Sequence, residues 1–135
     1  MSKRCLVDTN LIIRYLVQDH ERHSKTAAKV FDACDRGDLV IVMLPTVLAE
    51  SVFVLESFYE HRREDIASAL SVLLSSPGVE IDEPEIHLDA LERYRKTKVH
   101  FVDCLIAATA SAENIPVATF DRDFRKFADV HVDRF

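Results

Sequence analysis

Apolar residues along the chain fall into short runs separated by longer stretches of helical spacing. The runs at residues 4–7, 39–43, 79–81 and 116–119, with a weaker one at 130–132, are β-rich and bounded by turn or polar residues, so they read as strands. Between them, Val47, Phe53, Leu55 and Phe58 are predicted to face inward from one helix. Ile66, Ala69, Leu70, Leu73 and Leu74 give the stripe of another, which stops at Pro77-Gly78. A further helix is expected from Pro84 to about Thr97. The next, over 101–113, carries Ala107, Ala108 and Ala110 for close approach to a sheet, and Asn114 suits its left-handed end. Start signals are Asn10 for the helix after the first strand, Ser24-Lys25 for the one that follows, and Thr46 as an N-cap behind Pro45.

Strands alternating with helices predict an α/β fold with a central, mostly parallel sheet of about five short strands flanked by helices. No repeat, low-complexity tract or linker interrupts the pattern, so residues 1–135 are expected to form a single domain.

Composition narrows the class. With 48% hydrophobic residues, 2 Gly and 4 Pro, the chain is neither disordered, nor collagen-like, nor a disulfide miniprotein. At 135 residues roughly two-thirds of the unfolded surface can be buried, so a bound metal would serve function rather than staple the fold. The longest apolar run, residues 39–44, is far short of the roughly 20 needed to span a bilayer, and no leader pattern opens the chain. Cys5, Cys34 and Cys104 are odd in number, form no CxxC pair and lie in apolar stretches, which predicts buried thiols and a cytoplasmic address. A formal net charge of −6 argues against bulk electrostatic binding of nucleic acid, leaving only local contact.

The candidate chemistry is carboxylate chemistry. Asp8 directly follows the first strand, and Asp121 and Asp123 follow the strand at 116–119, at the carboxyl ends where α/β sheets place their ligand crevices. Glu50 (in AESVFV) and Asp103 (in FVDCLIAA) occur in apolar surroundings, where a buried charge demands compensation. Each has a plainer reading. Asp8 and Asp103 could cap helices, Glu50 could meet a helix dipole, and Asp121 could sit in a turn. Together, the four read as a metal cage. Oxygen donors without a matching His or Cys cluster select Mg²⁺ or Mn²⁺, and a carboxylate-held divalent ion suits hydrolysis of a phosphodiester with no protein nucleophile.

In LVDTNLIIRYL, LAESVFVL, FVDCLIAATA and VATFDRDF, taken in this order across essentially the whole chain, the sequence resembles the PIN domain, and within it the VapC-type toxin ribonucleases. The resemblance implies an Mg²⁺- or Mn²⁺-dependent endoribonuclease. Asp8, Glu50, Asp103 and Asp121 would hold the metal and the attacking water, with Asn10 and Thr119 as neighbouring polar groups. It also implies a homodimer, a small antitoxin that blocks the site, and a structured RNA substrate such as tRNA or rRNA. The last acidic position is ambiguous: Asp121 is preferred, and Asp123 is expected to face outward as the N-cap of a short helix containing Phe124 and Phe127.

Two basic clusters flank the acids, Arg93, Arg95, Lys96 and Lys98 before Asp103, and Arg122, Arg125 and Lys126 after Asp121. They could hold RNA phosphates or simply complement helix ends, and Arg14 is equally open. His20 and His23 lack further ligands nearby, and Cys104 lacks a basic partner, so neither suggests a metal pair or a nucleophile. The apolar surplus over residues 48–59 fits either core or a groove for an antitoxin helix.

Rival classes fit less well. A haloacid-dehalogenase-like phosphatase needs a second Asp where Asn10 stands, and a receiver domain needs an Asp where the second strand runs into Leu44-Pro45-Thr46. A non-catalytic PIN-like scaffold binding RNA or protein would be marked by lost carboxylates, and all four are present.

Overall fold

The computed structural model describes residues 3–133, so residues 1–2 and 134–135 of the expected domain lie outside the described residues. The chain gathers into two compact units, the first ending at Pro84 and the second beginning at Glu85.

The first unit is built on β1 (Lys3–Leu6), β2 (Leu39–Val42) and β3 (Val79–Glu80), paired in parallel in the order β1-β2-β3. The register sets Leu6 beside Val42, and Ile41 beside Val79. Helices α1 (Thr9–Val17), α2 (Glu21–Asp35), α3 (Pro45–Ser57) and α4 (Arg63–Leu74) supply the connections that parallel strands require. Its core holds Ile12, Ile13, Phe31, Ile41, Met43, Leu48, Leu55, Ile66 and Leu70, each at most 4% exposed. Tyr15 of α1 stacks on Phe31 of α2 with ring centroids 4.0 Å apart. Gly78 enters β3 with φ +75°, and a Cβ there would sit 2.8 Å from both Cys34 Cβ and the Leu39 carbonyl oxygen, so only glycine fits.

The second unit contains α5 (Pro84–Lys96, whose first residue closes the first unit), α6 (Phe101–Glu113), β4 (Val117–Ala118), a 3₁₀ helix (Arg122–Lys126) and β5 (Val132–Asp133). Strands β4 and β5 form a parallel pair, Val117 beside Val132. Ala107, Ala108 and Ala110 are buried, and Asn114 ends α6 at φ 54°, ψ 48°, the left-handed turn expected of it.

All strand pairings among the described residues are parallel and the strands are short, as the alternation predicted, and they hydrogen-bond as a ladder of three and a ladder of two. Several local readings change. Helix α3 begins at Pro45 itself, with Leu44 as N-cap and no side-chain cap bond, because proline's missing N–H is free at that position; Thr46 is not the cap. Helix α2 starts at Glu21, not Ser24, because His20 Nδ1 accepts from His23 N at 3.1 Å and closes the turn earlier. Phe53 and Phe58 face solvent, 68% and 76% exposed. Cys34 and Cys104 are buried, whereas Cys5 is exposed on β1. No helix among the described residues is long and apolar enough to cross a membrane.

Candidate active site

In the first unit, Asp8 and Glu50 come off the carboxyl ends of neighbouring parallel strands, which is where a ligand crevice forms. Asp8 is the N-cap of α1: its Oδ1 accepts from Leu11 N at 3.0 Å. The capping reading therefore holds for Asp8, and it engages one carboxylate oxygen. Asn10 is exposed in the first turn that follows. Glu50 lies in the second turn of α3 and is exposed, so its apolar neighbours in sequence impose no burial cost on its charge. Helical geometry explains this: Thr46, Glu50, Phe53 and Ser57 recur at four and three residues and form one outward stripe.

In the second unit, Asp103 lies within electrostatic reach of Asp121 and Asp123. Asp103 sits half-buried in the first turn of α6, whose N-cap is His100, so Asp103 is not a cap. Thr119 Oγ1 accepts from Asp121 N at 2.9 Å and fixes the turn beyond β4. Asp121 Oδ1 in turn accepts from Asp123 N at 2.8 Å. The N-cap of the short helix is thus Asp121 rather than Asp123, since the side chain preceding the helix is the one that reaches its first free N–H. Asp123 does not stand free outside; it is half-buried and pairs with Lys126 at 3.4 Å.

Electrostatics link these groups. Burial pushes the Asp103 carboxyl above its ordinary range, the Asp121 carboxylate pushes it further, and Asp123 adds to this, while His100 opposes. His100, three residues before Asp103, was not singled out from sequence; its place at the helix start was the available signal. Among the described residues, no three His, Cys, Asp or Glu side chains close round a single point. The set nevertheless fits a hard cation: the donors are carboxylate oxygens, and Asp103 carries a charge that its neighbours disfavour and a cation would stabilise.

The remaining polar candidates are committed elsewhere. His20 and His23 stack at 4.0 Å, with His20 Nδ1 spent on the cap. The Cys104 thiol is fully buried and donates to the Val99 carbonyl at 3.6 Å. Of the basic clusters, Arg93 is bound by Asp89 and Asp129, and Arg95 and Lys96 by Glu92. Arg14 pairs with Asp19 at 2.8 Å. Arg122 and Arg125 are exposed and make no ion pair among the described residues.

The chain is 26% identical over 122 residues to a VapC ribonuclease of Aquifex aeolicus (strain VF5), covering 90% of each chain. Among solved structures it is similar to Mycobacterium tuberculosis VapC20, a sarcin-ricin loop cleaving toxin, at 25% identity and a TM-score of 0.43, over 94% of this chain and 98% of that one. The PIN domain model matches residues 5–130, nearly the full length, and the chain therefore belongs to the PIN-domain family.

Proposed function

We propose that this protein is a metal-dependent endoribonuclease, the toxin of a toxin–antitoxin pair, which hydrolyses RNA phosphodiester bonds. Family membership and the similarity to a VapC ribonuclease support the reading. The observation that carries it is Asp103, a half-buried carboxyl whose ionisation is opposed by burial and by the carboxylates of Asp121 and Asp123. Proteins keep such mutual repulsion chiefly where a function uses it.

In this reading Asp8, Glu50, Asp103 and Asp121 are the metal-holding set, and residues 1–135 work as one domain. Hard oxygen donors favour Mg²⁺ or Mn²⁺. A bound ion would supply Lewis acidity at the phosphate and lower the pKa of a water. The chain's own part is positional. Thr119 holds the backbone of Asp121, Asp121 holds the start of the 3₁₀ helix, and the α6 backbone aims Asp103. By the same likeness the protein acts in the cytoplasm as a homodimer, on tRNA, rRNA or mRNA, and is restrained by a small antitoxin.

The test is incubation of purified protein with total RNA and Mg²⁺ or Mn²⁺, beside EDTA and Asp103→Asn controls. Discrete products that need the metal and vanish in the variant are expected, with a loss of about 10²–10⁴-fold in rate. RNA binding without metal-dependent cutting would overturn the nuclease reading in favour of a scaffold.

A further inference from the structure

The loop that joins β4 to β5 contains Asp121, fixed by the Thr119 hydroxyl and the Asp123 N–H, and the 3₁₀ helix that follows has three distinct faces. With three residues per turn, side chains three apart eclipse one another. Phe124 and Phe127 form the buried face, 2% and 7% exposed. Asp123 and Lys126 form an ion-paired face. Arg122 and Arg125 form the third, exposed and without an ion pair among the described residues, although the molecule's net charge is −6 and most of its other basic side chains are neutralised by carboxylates. Immediately before Asp121 stands Phe120, a large aromatic with its whole side chain in solvent and no ring partner among the described residues.

A fully exposed Phe next to an acid costs solubility and contributes nothing to packing. Two unpaired arginines on one face, one and four residues beyond the same acid, define what Phe120 suits. Single-stranded nucleic acid is recognised by aromatic platforms for its bases and by arginines for its phosphates. We propose that Phe120 stacks on an unpaired RNA base next to the cleaved bond while Arg122 and Arg125 hold flanking phosphates. This rests on the ribonuclease reading and deepens it: the substrate is single-stranded or splayed at the cut, and the grip is local, as a net-acidic protein requires. The two arginines also offset the repulsion that the carboxylates of Asp103, Asp121 and Asp123 exert on an approaching polyanion.

The chain has no tryptophan, so Phe120→Trp installs a single reporter at the platform. The probe is a mixed-sequence single-stranded RNA oligonucleotide titrated in EDTA, where no cutting occurs, with binding read independently by anisotropy of a labelled strand. Saturable quenching of the Trp emission by RNA, and none by inorganic polyphosphate, is expected. Phe120→Ala is expected to weaken binding by about 5- to 150-fold with an unchanged salt slope. Arg122→Gln and Arg125→Gln are each expected to flatten the slope of log K against log salt by about 0.7. All these positions are exposed, so the variants keep their fold. Full RNA binding by Phe120→Ala, or unquenched Trp while RNA is bound, would overturn the inference and leave Phe120 as a contact for a protein partner. Absence of RNA binding by the unaltered protein would instead bring down the ribonuclease reading, and the inference with it.

Discussion

Asp8 caps a helix and, in the proposed metal-holding set, is also a ligand. Its Oδ1 closes the first turn of α1 on Leu11 N, and Asn caps helices as well as Asp does, whereas Ala does not. Asp8→Asn is therefore expected to keep its melting temperature and lose cleavage by at least about 100-fold, since a neutral amide oxygen lacks the carboxylate's charge and holds a divalent ion more weakly. Asp8→Ala is expected to lose cleavage and also about 1 kcal/mol of stability, seen as a drop of several degrees in thermal unfolding. Undiminished cleavage by Asp8→Asn would remove Asp8 from the metal-holding set. At this scale the acids were legible because Asp after a strand and Asp in a helix's first turn are positions readable from the chain itself. The exposure of Glu50 was not legible. Its helix face includes Phe53, an apolar residue on an outward stripe, and a local string cannot tell which face of a nearly all-apolar helix meets solvent. Phe120 was passed over for the same reason, since an aromatic beside a strand reads as core until its exposure is seen.

Among the elements, helices and strands were read close to their observed places, because proline, glycine and Asn114 punctuate the chain where backbone geometry demands it. Strand pairing was less legible: periodicity reveals a strand but not its neighbour in the ladder. The tie between α5, α6 and the β4–β5 loop was also invisible, since it joins Arg93, Ser111 and Asp129 from separate segments. Arg93 Nη1 donates to Asp129 Oδ1 at 2.8 Å and Nη2 to its other oxygen, Ser111 Oγ donates to Asp129 at 2.9 Å, and the guanidinium lies 5.2 Å from the Phe127 ring centre. The Arg93 hydrogen bonds hold the Asp129 carboxyl well below the ordinary carboxylate range, with Ser111 adding to them and burial opposing. A carboxyl lowered in the folded state gives stability that is present above the unfolded value of about 3.9 and is lost as pH falls toward the folded one. Asp129→Asn is thus expected to cost about 1 kcal/mol at neutral pH, a figure discounted for a half-exposed partner, and to melt with less dependence on pH between 5 and 2 than the unaltered protein. Parallel melting curves for the two proteins across that range would show the tie to be unimportant.

For the molecule as a whole, net charge argued against bulk electrostatic binding of nucleic acid, and the order of four acidic motifs along 135 residues suggested the family that the domain match then established. What a linear chain does not carry is the energetic state of those acids, and in the proposed reading this sets stability against function at Asp103. Its pKa is raised, by burial first and Asp121 next, so the folded state holds the proton more tightly than the unfolded chain. The sign follows from linkage: that preference favours folding below the unfolded carboxylate value and is lost as pH rises through the folded one, above which burial and repulsion of the Asp103 carboxylate count against the folded state. Without divalent ions at pH 7, Asp103→Asn is therefore expected to melt a few degrees higher than the unaltered protein. A divalent ion reverses the order, because a ligand bound only by the folded state stabilises it by RT ln(1 + [L]/Kd), about 1.4 kcal/mol at tenfold excess over Kd, or several degrees for a domain of this size. Thermal unfolding of both proteins across a Mn²⁺ titration should give curves that cross, the unaltered protein rising steeply and the variant little, with EDTA restoring the first order. Curves that stay parallel, or an Asp103→Asn protein less stable without metal, would mean that Asp103 serves packing and not an ion.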